Sequence, residues 1–266
     1  MESVIRKLKQ LTNHEAIEIT NRGNSAIFAA LSIAKKANNK KYILIPDQGG
    51  WFTYRIYPKI FGFVPKELKT DDGIIITDEL KKYIRDASAL IVPSFAGYFA
   101  EQNMHELSEI CTKQGCLLIE DASSAVGDSK LCDGRYSDII VASFGKWKPI
   151  NVGYGGFIST NNDLMKNAEM AMSLVKVHPN SENEILSKLN ENRLSKMISI
   201  AQTIKKNMSG ANLVHGNKRG INIMAEYSPF IIEYCKEKGY PYILCPNYIR
   251  LNRKAISIEL KRLEYE

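Results

Sequence analysis

Five short runs of uninterrupted apolar residues, spaced by stretches of helical periodicity, constrain this chain most. They lie at residues 42–46 (YILIP), 89–93 (ALIVP), 116–119 (CLLI), 138–144 (DIIVASF) and 156–159 (GFIS). A strand with one wet face alternates apolar with polar residues. A continuous apolar run means that both faces of the sheet are covered. Between the runs, residues 25–37 place Ala26, Ala29, Ala30 and Ile33 on one side of a helix, and residues 104–114 do the same with Leu107, Ile110 and Cys111. Strand, helix and strand in this order imply right-handed crossovers, a mainly parallel sheet and a three-layer α/β fold.

After residue 160 the pattern changes. Residues 162–177 and 181–207 read as long helices separated by Pro179, and a polar, glycine-punctuated stretch follows over residues 209–220. The tail reads as a helix (229–238), a proline-flanked strand (242–244) and a closing apolar segment (256–260). This divides the chain into a large α/β domain, residues 1–165, and a helical linker with a small C-terminal domain, residues 166–266. The first residues, MESVIRKLKQL, set Val4, Ile5, Leu8 and Leu11 among charges. That is a short amphipathic helix, not a secretory signal. No apolar run approaches the ~20 residues of a membrane span.

Composition narrows the partners. With 36 Lys and Arg against 29 Asp and Glu the net charge is +7. The basic residues are spread along the chain, whereas a nucleic-acid binder concentrates them in a patch. An anionic small-molecule ligand suits a mild, dispersed excess. The five cysteines lack C-x-x-C spacing, which argues against a metal site or a disulfide framework and for a reducing, cytoplasmic compartment.

Four segments carry chemistry, each at a strand end or a helix start, where parallel α/β sheets bind ligands. RGNSA at residues 22–26 precedes the Ala-rich helix; Gly23 permits a tight turn, Asn24 and Ser25 are N-cap types, and a helix N-terminus receives anions. Read alone, it is a plain capped helix. IEDA at residues 119–122 puts Asp121 at the end of a buried strand, where an acidic group is costly unless paired or used. A carboxylate there can keep a pyridine nitrogen protonated, or it can cap the next loop. SFGKWK at residues 143–148 ends a strand and supplies Lys146 and Lys148. Such an amine can bond an aldehyde cofactor, or it can be a surface lysine. GYGG at residues 153–156 precedes a strand, so it is a glycine turn and not a dinucleotide fingerprint.

Their order and spacing resemble the DegT/DnrJ/EryC1/StrS aminotransferases, a branch of the fold-type I pyridoxal-phosphate enzymes. The matching runs are LLIEDASSAVGD and SDIIVASFGKWKPINVGYGGFIST, within residues 20–160. Ser143 and Phe144, then Lys148, then Gly153, Gly155 and Gly156 keep the family's spacing, which selects Lys148 over Lys146.

The resemblance implies the pyridoxal-phosphate transferase fold type I with an abbreviated C-terminal domain. It implies pyridoxal 5'-phosphate held as an aldimine on Lys148, with Asp121 facing the ring nitrogen and Ser143 with the Gly23-Asn24-Ser25 turn holding the phosphate. Ser124 stands where the family usually has His or Gln against the cofactor, and Trp51 is the nearest candidate for the ring over it. Arg250 is the candidate contact for a substrate anion. The implied activity is aminotransfer between a small-molecule amino donor and a sugar or other small oxo acceptor, in a homodimer, with a lyase as its chemical relative. Two other readings are a non-catalytic or regulatory relative that keeps the fold, motivated by Ser124 and the short C-terminus, and an RNA-directed enzyme of the same fold, motivated by the charge.

Overall fold

The computed structural model describes residues 1–175, 177, 181–208 and 210–265. Pro179 and Ser209, which bound two of the expected segments, lie outside the described residues.

Seven strands form the central sheet: β1 (Ala16–Thr20), β2 (Tyr42–Pro46), β3 (Val64–Leu68), β4 (Ala87–Pro93), β5 (Leu117–Asp121), β6 (Ile139–Ser143) and β7 (Gly156–Thr160). Their order is β1-β7-β6-β5-β4-β2-β3. Neighbours from β6 through to β3 are parallel, and β7 pairs antiparallel with both β6 and β1.

The apolar runs bury two faces. Ile43, Ile45, Ile91, Ile119 and Val141 point to one side, where they meet Ala26, Ala29, Ala30 and Ile33 of α2 (Gly23–Ala37). Leu44, Leu90, Val92 and Leu118 point to the other, against Leu80 of α3 (Thr77–Tyr83) and Met104, Leu107 and Cys111 of α4 (Met104–Lys113). Val4 and Leu8 of α1 (Glu2–Thr12) cover Ile140, Ala142 and Phe157. This is the three-layer, mainly parallel α/β architecture of fold type I. Each fully buried Ile or Leu contributes roughly 1.5–3 kcal/mol of transfer free energy, so the covered strands are the stable frame for whatever their ends carry.

Two strands of this central sheet were not anticipated. β1 (AIEIT) interrupts its apolar run with Glu18, and β3 (VPKEL) buries only Leu68. Both lie at the sheet edges, where one side of the backbone ladder has no neighbour and the side chains are more polar.

The long helices of the second half are broken. Residues 162–173 form a helical turn (Asn162–Met165), a 3-10 turn (Lys166–Ala168) and a short helix (Glu169–Ser173). The next expected helix is two: α5 (Glu182–Asn190) and α6 (Arg193–Asn207), parted where Glu191 turns extended at ψ 138°. The local sequence NEN favours caps over helix interior. The tail forms an antiparallel sheet of β8 (Ile223–Glu226), β9 (Tyr242–Asn247) and β10 (Leu251–Ile258), in the order β8-β10-β9. It packs on α6 and on α7 (Pro229–Lys238), a helix that starts on a proline and stops at Gly239 in the left-handed region, φ 66°. Among the described residues no helix is long and apolar enough to cross a membrane.

Candidate active site

The carboxyl ends of β5 and β6 and the N-terminus of α2 surround a cavity of about 220 Å³, lined in part by Gly23, Asn24, Trp51, Asp121, Ser143 and Lys148. Residues far apart in the chain thus face one space. Ser123 lines it too, while buried Ser124 lines the adjoining recess with Tyr54 and Tyr98.

Asp121 ends β5 and is almost wholly buried. Its Oδ2 accepts a 2.6 Å hydrogen bond from the Tyr54 hydroxyl, and its Oδ1 accepts from the Ser123 N–H at 3.0 Å. Burial, followed by the Asp121 charge, pushes the Tyr54 phenol well above its ordinary range. Tyr54 therefore stays a donor and fixes the carboxylate's orientation. The neighbouring Glu120 points away and is answered by the Ser94 and Ser137 hydroxyls and the Cys132 N–H, which gives it a structural role.

Ser143 ends β6. Its hydroxyl accepts from the Gly145 N–H at 3.1 Å, and its own N–H donates to the Ser123 hydroxyl at 2.9 Å. Gly23 sits directly against it. A Cβ on Gly23 would stand 2.6 Å from the Ser143 Cβ, so a side chain there would force the helix away from the strand end. The capping expectation for Asn24 and Ser25 is corrected. The helix starts at Gly23, with Arg22 as an extended N-cap and no side-chain cap. Asn24 Oδ1 instead accepts from the Trp51 indole N–H at 2.8 Å, and the Ser25 hydroxyl donates to Asn21 Oδ1 at 2.6 Å. The glycine lets the helix begin as soon as the backbone leaves β1, and the two polar side chains lock the surrounding loops. Asn24 thereby holds Trp51 as a flat wall of the cavity.

Between β6 and β7 the chain makes a compact turn in which the N–H groups of Val152 and Gly153 both donate to the Phe144 carbonyl. Trp147 adopts a left-handed backbone, φ 66°, and its N–H donates to Asn151 Oδ1 at 2.8 Å. Lys146 is exposed and lies over the Trp147 ring, whereas Lys148 is half-buried and its Nζ donates to the Tyr98 hydroxyl.

Arg250 lies near the cavity but faces inward. Only 4% exposed, it donates from Nε and Nη2 to the two oxygens of fully buried Glu259, at 2.7 and 2.8 Å, and stands 4.5 Å from the Tyr98 ring centre. Sequence reasoning missed Tyr54, Tyr98 and Lys261. Tyr98 carried one signal, its place after Gly97 in the loop that leaves the carboxyl end of β4; Lys261 carried none.

The DegT/DnrJ/EryC1/StrS aminotransferase family model matches residues 3–206, and the MJ1341 family C-terminal domain model matches residues 191–266. No curated protein matches the sequence. Among solved structures the chain is similar to the Helicobacter pylori aminotransferase PseC of pseudoaminic acid biosynthesis, with a TM-score of 0.73 and 16% identity over 96% of this chain and 84% of that one. It is similar to 3-amino-5-hydroxybenzoic acid synthase, with a TM-score of 0.72 and 14% identity over 98% and 85%. It is also similar to Bacillus subtilis NtdA with bound cofactor PMP, with a TM-score of 0.69 and 18% identity over 91% and 63%.

Proposed function

From the premise that this chain belongs to the DegT/DnrJ/EryC1/StrS aminotransferase family, we propose that it is a pyridoxal-phosphate-dependent aminotransferase for a sugar or other small oxo substrate, with Lys148 as the anchoring amine. The observation that carries this reading is the convergence of Lys148, Asp121, Ser143 and the start of α2 on one cavity. The donor set suits the cofactor: an amine for an aldehyde, a carboxylate for a ring nitrogen, and a hydroxyl beside a helix N-terminus for a phosphate. Gly23 keeps that helix start close to Ser143.

When bound, pyridoxal phosphate supplies an exchangeable aldehyde and an electron-poor ring. Asp121, held by Tyr54 and Ser123, would keep a proton on the ring nitrogen. Lys148 Nζ would anchor the cofactor and, once freed, would be placed to take the α-proton of the amino donor as general base. Trp51 would wall the ring, with Ser124 behind it in the adjoining recess. Arg250, the candidate contact for a substrate anion, instead spends its guanidinium on Glu259 behind the cavity wall, so no substrate contact is assigned to it. The decisive measurement is a half-reaction. Glutamate, or another donor from a panel of amino acids, is expected to convert the cofactor-loaded protein to its aminated form. A loaded protein that reacts with no donor would instead favour the regulatory reading.

The same reading makes the protein a homodimer. The segment that runs from the cavity wall at Trp51 exposes Phe52, Ile56, Ile60 and Val64, an apolar stripe suited to a second copy. Sedimentation is expected to give twice the 30.0 kDa chain mass. A monomer that holds its full complement of cofactor would contradict the assignment. All five cysteines are free and buried, which agrees with a reducing cytoplasmic setting.

A further inference from the structure

Tyr98 is held in a conformation that its side chain disfavours. Its φ is 73°, a left-handed backbone that costs a non-glycine residue of order 1 kcal/mol. Three contacts hold it there. Gly97 N–H donates to the Gly49 carbonyl at 2.8 Å, and the Tyr98 carbonyl accepts from the Ile221 and Asn222 N–H groups at 2.9 and 3.0 Å. The C-terminal segment therefore sets the position of this ring at the cavity wall.

Cations surround the ring. Lys261 Nζ stands 3.7 Å from its centre, Lys148 Nζ 4.4 Å and the Arg250 guanidinium 4.5 Å. The Lys148 amine also donates to the phenol oxygen. Glu259 lies behind Arg250 and neutralises it. Across the cavity, Asp121 is bonded to Tyr54, and Lys146 lies at the exposed rim. Glu259 also pairs with Arg262, so a single carboxylate stands behind the cations that face this phenol. Unanswered cations are costly away from water, and an ionised phenol answers them.

The titration directions agree with the geometry. Burial pushes the Tyr98 phenol up, but the charges of Lys148, Lys261 and Arg250 outweigh it and bring the phenol down to about 8. Lys261, only 5% exposed, is lowered to about 8, first by burial and then by the neighbouring cations.

We propose that Tyr98 is the proton partner of Lys148: its phenolate oxygen takes a proton from the Lys148 ammonium and later returns it. In the forward direction one N–H bond breaks and one O–H bond forms. The pair keeps its total charge, and the lysine nitrogen gains the free lone pair that attack on an aldehyde requires. Lys261 and Arg250 are positioning residues that act through Tyr98 by holding the phenolate form. The inference rests on the reading of Lys148 as the reactive amine.

The test begins on cofactor-free protein. Phenolate ultraviolet absorbance is followed against pH for the wild type, Tyr98→Phe and Lys261→Met. The wild-type minus Tyr98→Phe difference is expected to show one phenol ionising near 8. Lys261→Met is expected to move that midpoint up toward the ordinary ~10. The rate of pyridoxal phosphate uptake is then measured against pH. The wild type is expected to share the phenol's midpoint, because ionisation of the phenol creates the phenolate that takes the Lys148 proton. Tyr98→Phe, with an unchanged thermal transition, is expected to lose that inflection. A Tyr98 midpoint at 10 or above, or an uptake inflection that survives in Tyr98→Phe, would overturn the proposal. A phenol that titrates near 8 and responds to Lys261→Met in a protein that takes up no cofactor would support the proton pair and remove the cofactor reading instead.

Discussion

Lys148→Ala is expected to bind pyridoxal phosphate without the visible absorbance change that follows covalent attachment to an amine, and borohydride is expected to fix no cofactor to it. The amino-donor half-reaction is expected to fall by at least the ~10²–10⁴-fold that a positioned general acid–base group supplies. Lys146→Ala is the internal control. Two residues away, it has the same local chemistry and lines the same cavity, yet it is expected to keep the absorbance. The backbone explains the difference. The left-handed turn at Trp147 lets Lys146 lie exposed over the Trp147 ring while Lys148 reaches Tyr98. Absorbance retained by Lys148→Ala, or lost in Lys146→Ala, would transfer the anchoring role or remove it.

Glu259→Gln is expected to cost the fold roughly 3–5 kcal/mol, the usual loss when one partner of a buried ion pair is removed. Glu259 is fully buried and accepts from Arg250, from the Ser257 hydroxyl at 2.7 Å and from the Asn222 amide at 3.0 Å. The substitution leaves the Arg250 charge without its counterion in the same enclosed place. Replacing both partners by apolar residues, Arg250→Met with Glu259→Leu, is expected to recover part of the loss, since the Arg250 charge then no longer lacks a counterion while Asn222, Ser257 and Arg262 still lose their acceptor. Urea unfolding of the three variants decides it. A Glu259→Gln protein within ~1 kcal/mol of the wild type would mean that the pair contributes little.

The same pair sets a pH dependence. Burial raises the Glu259 carboxyl, but the hydrogen bonds and charge of Arg250, with the charge of Lys261, outweigh it and hold it at about 2. An unfolded glutamate titrates near 4.3. The unfolded chain therefore binds the proton first as pH falls, so the contribution is complete above pH ~4.3 and fades toward pH 2. Its size is about 3 kcal/mol. Wild-type stability is expected to drop by that amount across this window, and Glu259→Gln is expected to lack that component of the drop.

The sheet was legible where its strands are central. YILIP and ALIVP are apolar on both faces because helices cover both, and their side chains need no partner of particular identity. β1 and β3 were not legible, because edge strands such as AIEIT and VPKEL carry charge and show no continuous run. The breaks at residues 166–168 and 191–192 also escaped detection, since the periodicity of the flanking turns continues through them. At the site, Asp121, Ser143 and Lys148 were singled out by a family-like spacing along one stretch of chain, and all three line the cavity. Asn24 and Ser25 were read as caps because local propensity assigns them that role, but the nearby Trp51 and Asn21 claim their side chains instead.

By itself, then, the sequence determined the buried strands and the identity of the groups at their carboxyl ends, since both depend on neighbours within a few residues and leave a pattern. What surrounds Lys148 was decided only by the tertiary structure. Tyr98, Arg250 and Lys261 come from a loop after β4, a turn before β10 and the segment after it. No spacing rule links them, because they meet only when the C-terminal sheet packs against the loop that carries Tyr98 and its backbone holds that ring in place.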